Sequence, residues 1–483
     1  MDRRRLITLG GLAAGGALLP GCAAIATAGG RSGHSGHGDH VGHAGAGAGG
    51  AATGDPFTVA LPVPPVLKPT AVLGGIELYD LSVRHTTTEI LPGVSTPVLG
   101  YNGQFVGPTI RARYGRPALV RVRNELHHPT NVHLHGGYVP AASDGHPMDV
   151  VAPGGRRAYH YPNRQRGATL WYHDHSHHME AEHVYRGLHG FYLIDDPAER
   201  DLRLPSGRFD VPILLRDAQL AEDGTLVFDP SPNMDRRTIL ANGKAQPVLA
   251  VAARRYRLRL LNASAHRIFE LRLPGADLVQ IGTDGGLLPA PVPRAELKLT
   301  PAERADVVVD FGRLPVGSRV VLQDTTGPVL AFDVVAEAAD DSRLPNRLRA
   351  LPALPPATTV RDVALSFNPG STTFTINGQV FDAGRVDARI PLGSTEIWRI
   401  TNRDTAFNID HNFHMHLVQF RVLDRDGVPP EPGEAGLKDT VAVPPGSTVR
   451  VQATFTGYTG RYVYHCHFLE HSQIGMMAQF EVV

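Results

Sequence analysis

The stretch that most limits what this chain can become lies near its end: His465-Cys466-His467-Phe468-Leu469-Glu470-His471-Ser472-Gln473-Ile474-Gly475-Met476. Its flanks, Arg461-Tyr462-Val463-Tyr464 and Ala478-Gln479-Phe480-Glu481-Val482-Val483, both read as strand. Side chains alternate between the faces of a strand, so His465 and His467 share one face while Cys466 points the other way. One backbone can then serve two metal centres, a thiolate on one side and two imidazoles on the other. A Cys, two His and a weakly bound Met form the ligand set of a blue-copper electron-transfer site. Cys466, His471 and Met476 supply three of those groups, and the remaining His has to come from elsewhere.

Cysteine use agrees with an occupied thiol. The chain has 2 cysteines, Cys22 and Cys466. Cys22 follows a twin-arginine start, Asp2-Arg3-Arg4-Arg5-Leu6-Ile7, and an uncharged Gly/Ala-rich run from Leu6 to Leu19 that is too short and too weakly apolar to span a membrane. Residues 1–28 therefore read as an export signal of the twin-arginine type. Leu19-Pro20-Gly21-Cys22 resembles a lipobox that would leave Cys22 acylated; cleavage after Ala24-Ile25-Ala26 or Ala26-Thr27-Ala28 is the other reading. The expected location is the periplasm or cell envelope, as a lipoprotein in the first case and a free protein in the second. Either way the mature chain keeps a lone thiol in an oxidising compartment, a liability unless a metal holds it. The Gly-rich linker of residues 29–56 carries His34, His37, His40 and His43, and reads as a loose metal-collecting tail or a plain tether.

A chain of 483 residues is too long for one ordinary domain. Its 47 basic and 47 acidic residues balance, which argues against nucleic acid or an anionic membrane surface as partner. With 52 Gly, 39 Pro and few amphipathic helical patterns, the expected class is all-β. A weak repeat on the order of 140 residues runs through it. Tyr101-Asn102-Gly103 precedes the strand Leu119–Asn124, Ala241-Asn242-Gly243 precedes Tyr256–Asn262, and Ile376-Asn377-Gly378 precedes Glu396–Asn402. Three related domains are expected at 57–200, 201–345 and 346–483, with linkers near Asp195–Ser206 and Ala336–Thr359. The middle copy has Phe269-Glu270-Leu271-Arg272-Leu273 where the outer two carry histidines, and reads as a spacer that keeps them in register.

The histidines come in pairs: His133 and His135, His173 and His175, His414 and His416, and His465 and His467. One His-x-His is more often chance than a ligand pair; two early and two late in a domain repeat are not. Together with His411 and His471 they make ten, which with Cys466 and Met476 furnish four copper ions. At this point the sequence resembles the multicopper oxidases of the laccase branch, nearest the bacterial spore-coat laccases and their bilirubin oxidase relatives. The matching stretches are His133-Leu134-His135-Gly136-Gly137, Ser143-Asp144-Gly145-His146-Pro147, Gln165–His175, Gly285–Pro289, His416–Asp424 and Lys438-Asp439-Thr440.

The resemblance implies three consecutive cupredoxin-like Greek-key β-barrel domains, and it implies the ligands. Type 1 copper would take His411, Cys466, His471 and axial Met476, with Met477 left to the core. Type 2 copper would take His133 and His414. The type 3 pair would take His135, His173, His175, His416, His465 and His467. It further implies that single electrons from a reductant enter at type 1 copper, cross Cys466 to His465 or His467, and reduce O2 to water between the first and third domains. Asp144 matches the family's proton-supplying acid. The relatives usually carry a second acid just after the second type 1 His, where this chain has Ser472. His127, His128, His177, His178, His183 and His189 are expected to be structural or superficial, and Asp410 either a cap or part of the substrate rim.

Three functions follow from these readings. The first is a laccase-like oxidase of phenols and aromatic amines with O2 as acceptor, acting as a monomer. The second is a Cu(I) or Fe(II) oxidase, which export and the His tail favour, although the 7 Met are scattered and form no Met-rich insertion. The third, a copper-free envelope scaffold, conflicts with a complete ligand set.

Overall fold

The computed structural model describes residues 55–230 and 236–483; the export signal, Cys22 and the His34–His43 tail lie outside them. Among the described residues no helix is long and apolar enough to cross a membrane. Strand follows strand throughout, and each strand's burial reflects its surroundings. Ala118–Asn124 and Thr395–Asn402 largely alternate buried with more open positions, as strands with one face on a core must. Ala168–His173 is buried at every position.

Three cores organise the chain. In the first, Tyr79, Leu81 and Val120 of a five-stranded sheet meet Ile110, Leu170 and Tyr192 of a four-stranded one. In the second, Ile213, Leu258 and Val307 of a seven-stranded sheet meet Val251, Leu322 and Phe332. In the third, Val363, Trp398 and Val451 meet Phe413, Tyr464 and Phe480, from two five-stranded sheets.

The Asn-Gly repeat is one structural device used three times. Asn102, Asn242 and Asn377 all have positive φ, as do the glycines that follow them. The Oδ1 of each accepts a 2.7 Å hydrogen bond from a backbone N–H of a neighbouring strand, at Ser82, Leu214 and Ala364 respectively. That strand then pairs in parallel with the strand ending in Asn124, Asn262 or Asn402. These three asparagines also act alike: each side chain donates to two backbone carbonyls and accepts from an N–H two residues on.

The domains are also tied by their connecting segments. Phe57 N donates to Gln246 O and Leu61 N to Val248 O, both at 2.8 Å, and Leu61 sits in the second core although it precedes the first. The segment between Glu337 and Thr359 packs back on the earlier linker: Arg343 N donates to Arg203 O at 2.7 Å, and Arg349 pairs with Asp196 and Glu199.

Candidate metal centres

His411 opens the strand His411–Met415, Cys466 follows the strand Gly460–His465, and His471 lies in a short helix, α2, Leu469–Gln473. The strand stops at His465 rather than running through His467: Cys466 N still donates to Met476 O at 3.1 Å, but the chain then turns and His467 N donates to the Asn412 side chain. The two-sided arrangement survives the turn. His411 Nδ1 and His471 Nδ1 are 3.1 Å apart, and Cys466 Sγ is 3.7 Å from each. Burial pushes the Cys466 thiol up to about 12, so metal binding there releases a proton. Met476 is fully buried and its N donates to His471 O at 3.0 Å, whereas Met477 is a strand residue opposite His465.

The paired histidines converge from two sheets. His133 lies opposite His173 in the first domain, and His414 opposite His465 in the third. Their donor atoms form the groups His133/His135/His414, His135/His173/His467 and His175/His416/His465, all buried. His465 and His467 therefore enter different trios, with Cys466 between them in the third domain's other centre. The rings stack across the domain boundary, His133 on His416 at 3.8 Å and His135 on His414 at 3.7 Å between centroids.

Eight of these rings are aimed by what holds the outer nitrogen. Backbone carbonyls do this for His133 (Asp144 O, 2.6 Å), His173 (Asp174 O, 2.8 Å), His414 (Asp439 O, 2.8 Å) and His465 (Cys466 O, 3.0 Å). Carboxylates do it for His416 (Asp144 Oδ2, 2.7 Å), His135 (Asp439 Oδ1, 3.0 Å), His175 (Glu180 Oε2, 2.5 Å) and His411 (Asp404 Oδ2, 2.7 Å). Asp439 is gripped in turn by Arg304 of the second domain, through Nη1 at 2.7 Å and Nη2 at 2.5 Å. Gly136, at φ +77°, is required beside them: a Cβ there would sit 2.5 Å from Asp439 Oδ2 and 2.8 Å from Arg304 Nη2. Asn412 links the two centres, its Oδ1 accepting from His467 N at 2.6 Å and lying 3.6 Å from Cys466 Sγ.

Burial and mutual repulsion hold most of these imidazoles neutral. His133, His135, His414, His416 and His467 fall well below the ordinary value, His173 to about 3 and His465 to about 4. His175 is the exception: burial opposes its charge, but Glu180 outweighs it and the value rises. The Glu180 carboxyl, despite burial, is drawn down to about 2 by His175. Asp144 moves the other way, raised by burial to about 8.

Family profiles of multicopper oxidases match residues 82–199 and 353–483. The laccase of Bacillus subtilis is 36% identical over 514 residues, covering 89% of this chain and 99% of that protein. The chain is a multicopper oxidase. The bilirubin oxidase of Albifimbria verrucaria is also 36% identical, over 88% of this chain and 81% of its own length. Among solved structures, a laccase from Pediococcus acidilactici superposes with a TM-score of 0.84 at 35% identity, covering 90% of this chain and 95% of that one. Three cupredoxin-like β domains and a copper cofactor belong to this family.

The oxidase's own residues fit copper. Nε2 of His133, His173, His414 and His416, Nδ1 of His135 and both ring nitrogens of His467 are buried and make no hydrogen bond. Neutral imidazoles whose free lone pairs gather beside a thiol are donors suited to that metal. Every histidine and the cysteine expected to ligate falls in one of the groups, and Asp144 falls with His133 and His416. Asp404, not Asp410, is the acid on His411. Asp404, Glu180, Asp439, Arg304 and Asn412 received no role from the sequence, although Asp439 stood in a matching stretch. His183 and His189 are buried, His183 Nδ1 lying 3.0 Å from Asp174 Oδ1, and His127 and His178 are exposed.

Proposed function

We propose that the oxidase takes single electrons from small electron-rich aromatic compounds, phenols and aromatic amines, above His471, and passes them to O2. The supporting observation is the union of a His411/Cys466/His471 centre, set under a partly open rim, with two histidine trios that Cys466 adjoins on both sides. Phe374 stacks on His471 at 3.9 Å, and His266 of the second domain meets it edge-on at 5.2 Å. The His266 side chain is 41% exposed, and Ile474 and Val380 nearby are exposed. An aromatic reductant can lie on such a rim, partly sheltered and within reach of the His471 edge.

In this proposal His411, Cys466, His471 and Met476 hold type 1 copper, His133 and His414 type 2, and the trios His135/His173/His467 and His175/His416/His465 the type 3 pair. Copper supplies the one-electron chemistry and the binding of O2. The protein's share is geometric and protonic. Cys466 joins the outer centre to both trios through single peptide bonds. The carboxylates and carbonyls on the outer nitrogens fix the tautomer and direction of eight of these imidazoles. Asp144, fully buried and with Oδ1 unpartnered, retains its proton at neutral pH and can deliver it beside His133 and His416. The domain limits 57–200, 201–345 and 346–483 belong to the same proposal, as do a monomeric state and export to the periplasm or cell envelope. The twin arginine supports export and Cys22 a lipid anchor.

The test is oxygen uptake by copper-loaded protein with a methoxyphenol and, separately, with Cu(I) in a weak chelator, beside a Cys466→Ser control. Faster uptake with the phenol, lost in the control, is expected. Efficient uptake with Cu(I) alone would make this a metal oxidase instead.

A further inference from the structure

Glu180 opens the other helix at the site, α1, Glu180–Arg186, in the first domain. The side chain is 1% exposed and pairs with no Arg or Lys among the described residues. A buried carboxylate is costly unless it is paired and hydrogen-bonded. The partners of this one are unusual. Oε2 lies 2.5 Å from His175 Nδ1, and Oε1 accepts a hydrogen bond from Ser472 Oγ, 292 positions along the chain in α2. Ser472 is the residue after His471.

His175 needs such a partner. The strand carrying His173 ends at that residue, so His175 stands on irregular chain. Its backbone N–H is held by Asn131 Oδ1 at 2.7 Å. Among the described residues no backbone carbonyl meets its Nδ1, in contrast to His133, His173, His414 and His465. Glu180 on Nδ1 leaves Nε2 facing inward, toward His465 Nε2 at 3.2 Å.

The contact with α2 is also more than one bond. Ala181 N donates to Gln473 Oε1 at 3.2 Å, and Ala181 and Val184 pack with Leu469 and Ala265. Leu469 N donates to Ala265 O at 2.8 Å. Glu180 is thus the polar centre of a small junction where all three domains meet, directly between His175 and the helix that bears His471.

We infer that Glu180 is a positioning residue that places a first-domain carboxylate between His175 and Ser472 of the third domain. It aims His175 into the trio His175/His416/His465 and fixes α2, and with it His471, against the first domain. The inference rests on the copper assignment above.

The experiment compares wild type, Glu180→Gln, and Glu180→Ala with and without Ser472→Glu, each loaded with copper. Copper per chain is followed under a competing chelator, with type 1 absorption and oxygen uptake recorded in parallel. Glu180→Gln keeps the shape and a hydrogen bond to Ser472 but loses the carboxylate on His175. It is expected to hold the copper of the histidine trios about 10- to 100-fold more weakly, with type 1 absorption retained. Glu180→Ala should lose at least as much, and Ser472→Glu in that background should recover most of it by returning a carboxylate to the same space. Wild-type copper affinity and uptake in both single variants would overturn the inference and leave the functional reading standing. A wild-type protein that bound no copper would bring down both.

Discussion

Arg304 and Asp439, one from the second domain and one from the third, are both wholly buried and share two hydrogen bonds, 2.7 and 2.5 Å long. Arg304 Nε also donates to Thr169 O of the first domain at 2.9 Å, and Asp439 Oδ1 faces His135 Nε2 at 3.0 Å. Asp284 completes the cluster by accepting from Arg304 N at 2.8 Å. The domain that carries no ligand thereby sets the position of one. Its arginine holds the acid that holds the histidine.

Removing one member of a buried pair strands the other's charge. Arg304→Ala should therefore destabilise the protein by about 3–5 kcal/mol, measured by urea unfolding of the metal-free form. Arg304→Lys should recover only part, because a single ammonium cannot make the paired guanidinium–carboxylate contact. Wild-type stability in Arg304→Ala would show the cluster to be incidental.

Asp404 touches only the outer centre. Its Oδ2 is 2.7 Å from His411 Nε2, and its carboxylate also accepts from Phe367 N. Asp404→Ala should weaken type 1 copper about 10- to 100-fold and leave the other ions in place. A chelator titration would then show the blue absorption lost first, while the remaining copper stays bound.

Asp144 gives the metal-free protein a pH signature. Its folded value, raised by burial to about 8, stands above the ordinary 3.8. The folded state therefore keeps a proton that the unfolded chain has released, and the stability this group contributes is lost as pH rises from about 4 toward 8. The slope is at most about 1.4 kcal/mol per pH unit. Asp144→Asn should remove this slope, so that the variant gains on wild type between pH 5 and 7.5 in urea unfolding. Parallel pH profiles for the two proteins would contradict it. In the copper-loaded enzyme the same substitution should lower kcat by about 10²-fold or more at unchanged copper content.

The ligands were legible in the sequence because their chemistry admits few residue types and places them in adjacent pairs. His133 and His135 announce each other across one intervening residue. The residues that aim them do not. Glu180 meets Ser472 across 292 positions and Arg304 meets Asp439 across 135, and each is a lone charged residue of a common kind. The turn asparagines fell between these cases: Asn-Gly is a weak signal once, but Asn102, Asn242 and Asn377 recur with the strands they brace. The strand reading through Cys466 and His467 failed locally, because alternation alone gave no sign that His467 N would leave the ladder for the Asn412 side chain. Nor could alternation show that Leu61, at the start of the first domain, packs in the second core.

Twelve side chains holding four coppers in two centres joined at Cys466 give a fixed metal count, which metal analysis reads. Copper per chain would be counted after loading and removal of loose metal, for wild type and for Cys466→Ser. Four ions with blue absorption are expected in the wild type. In the variant three are expected, with the blue absorption and oxygen uptake both lost. Fewer than four ions in the wild type, or a Cys466→Ser protein that still consumed oxygen at the wild-type rate, would contradict that arrangement.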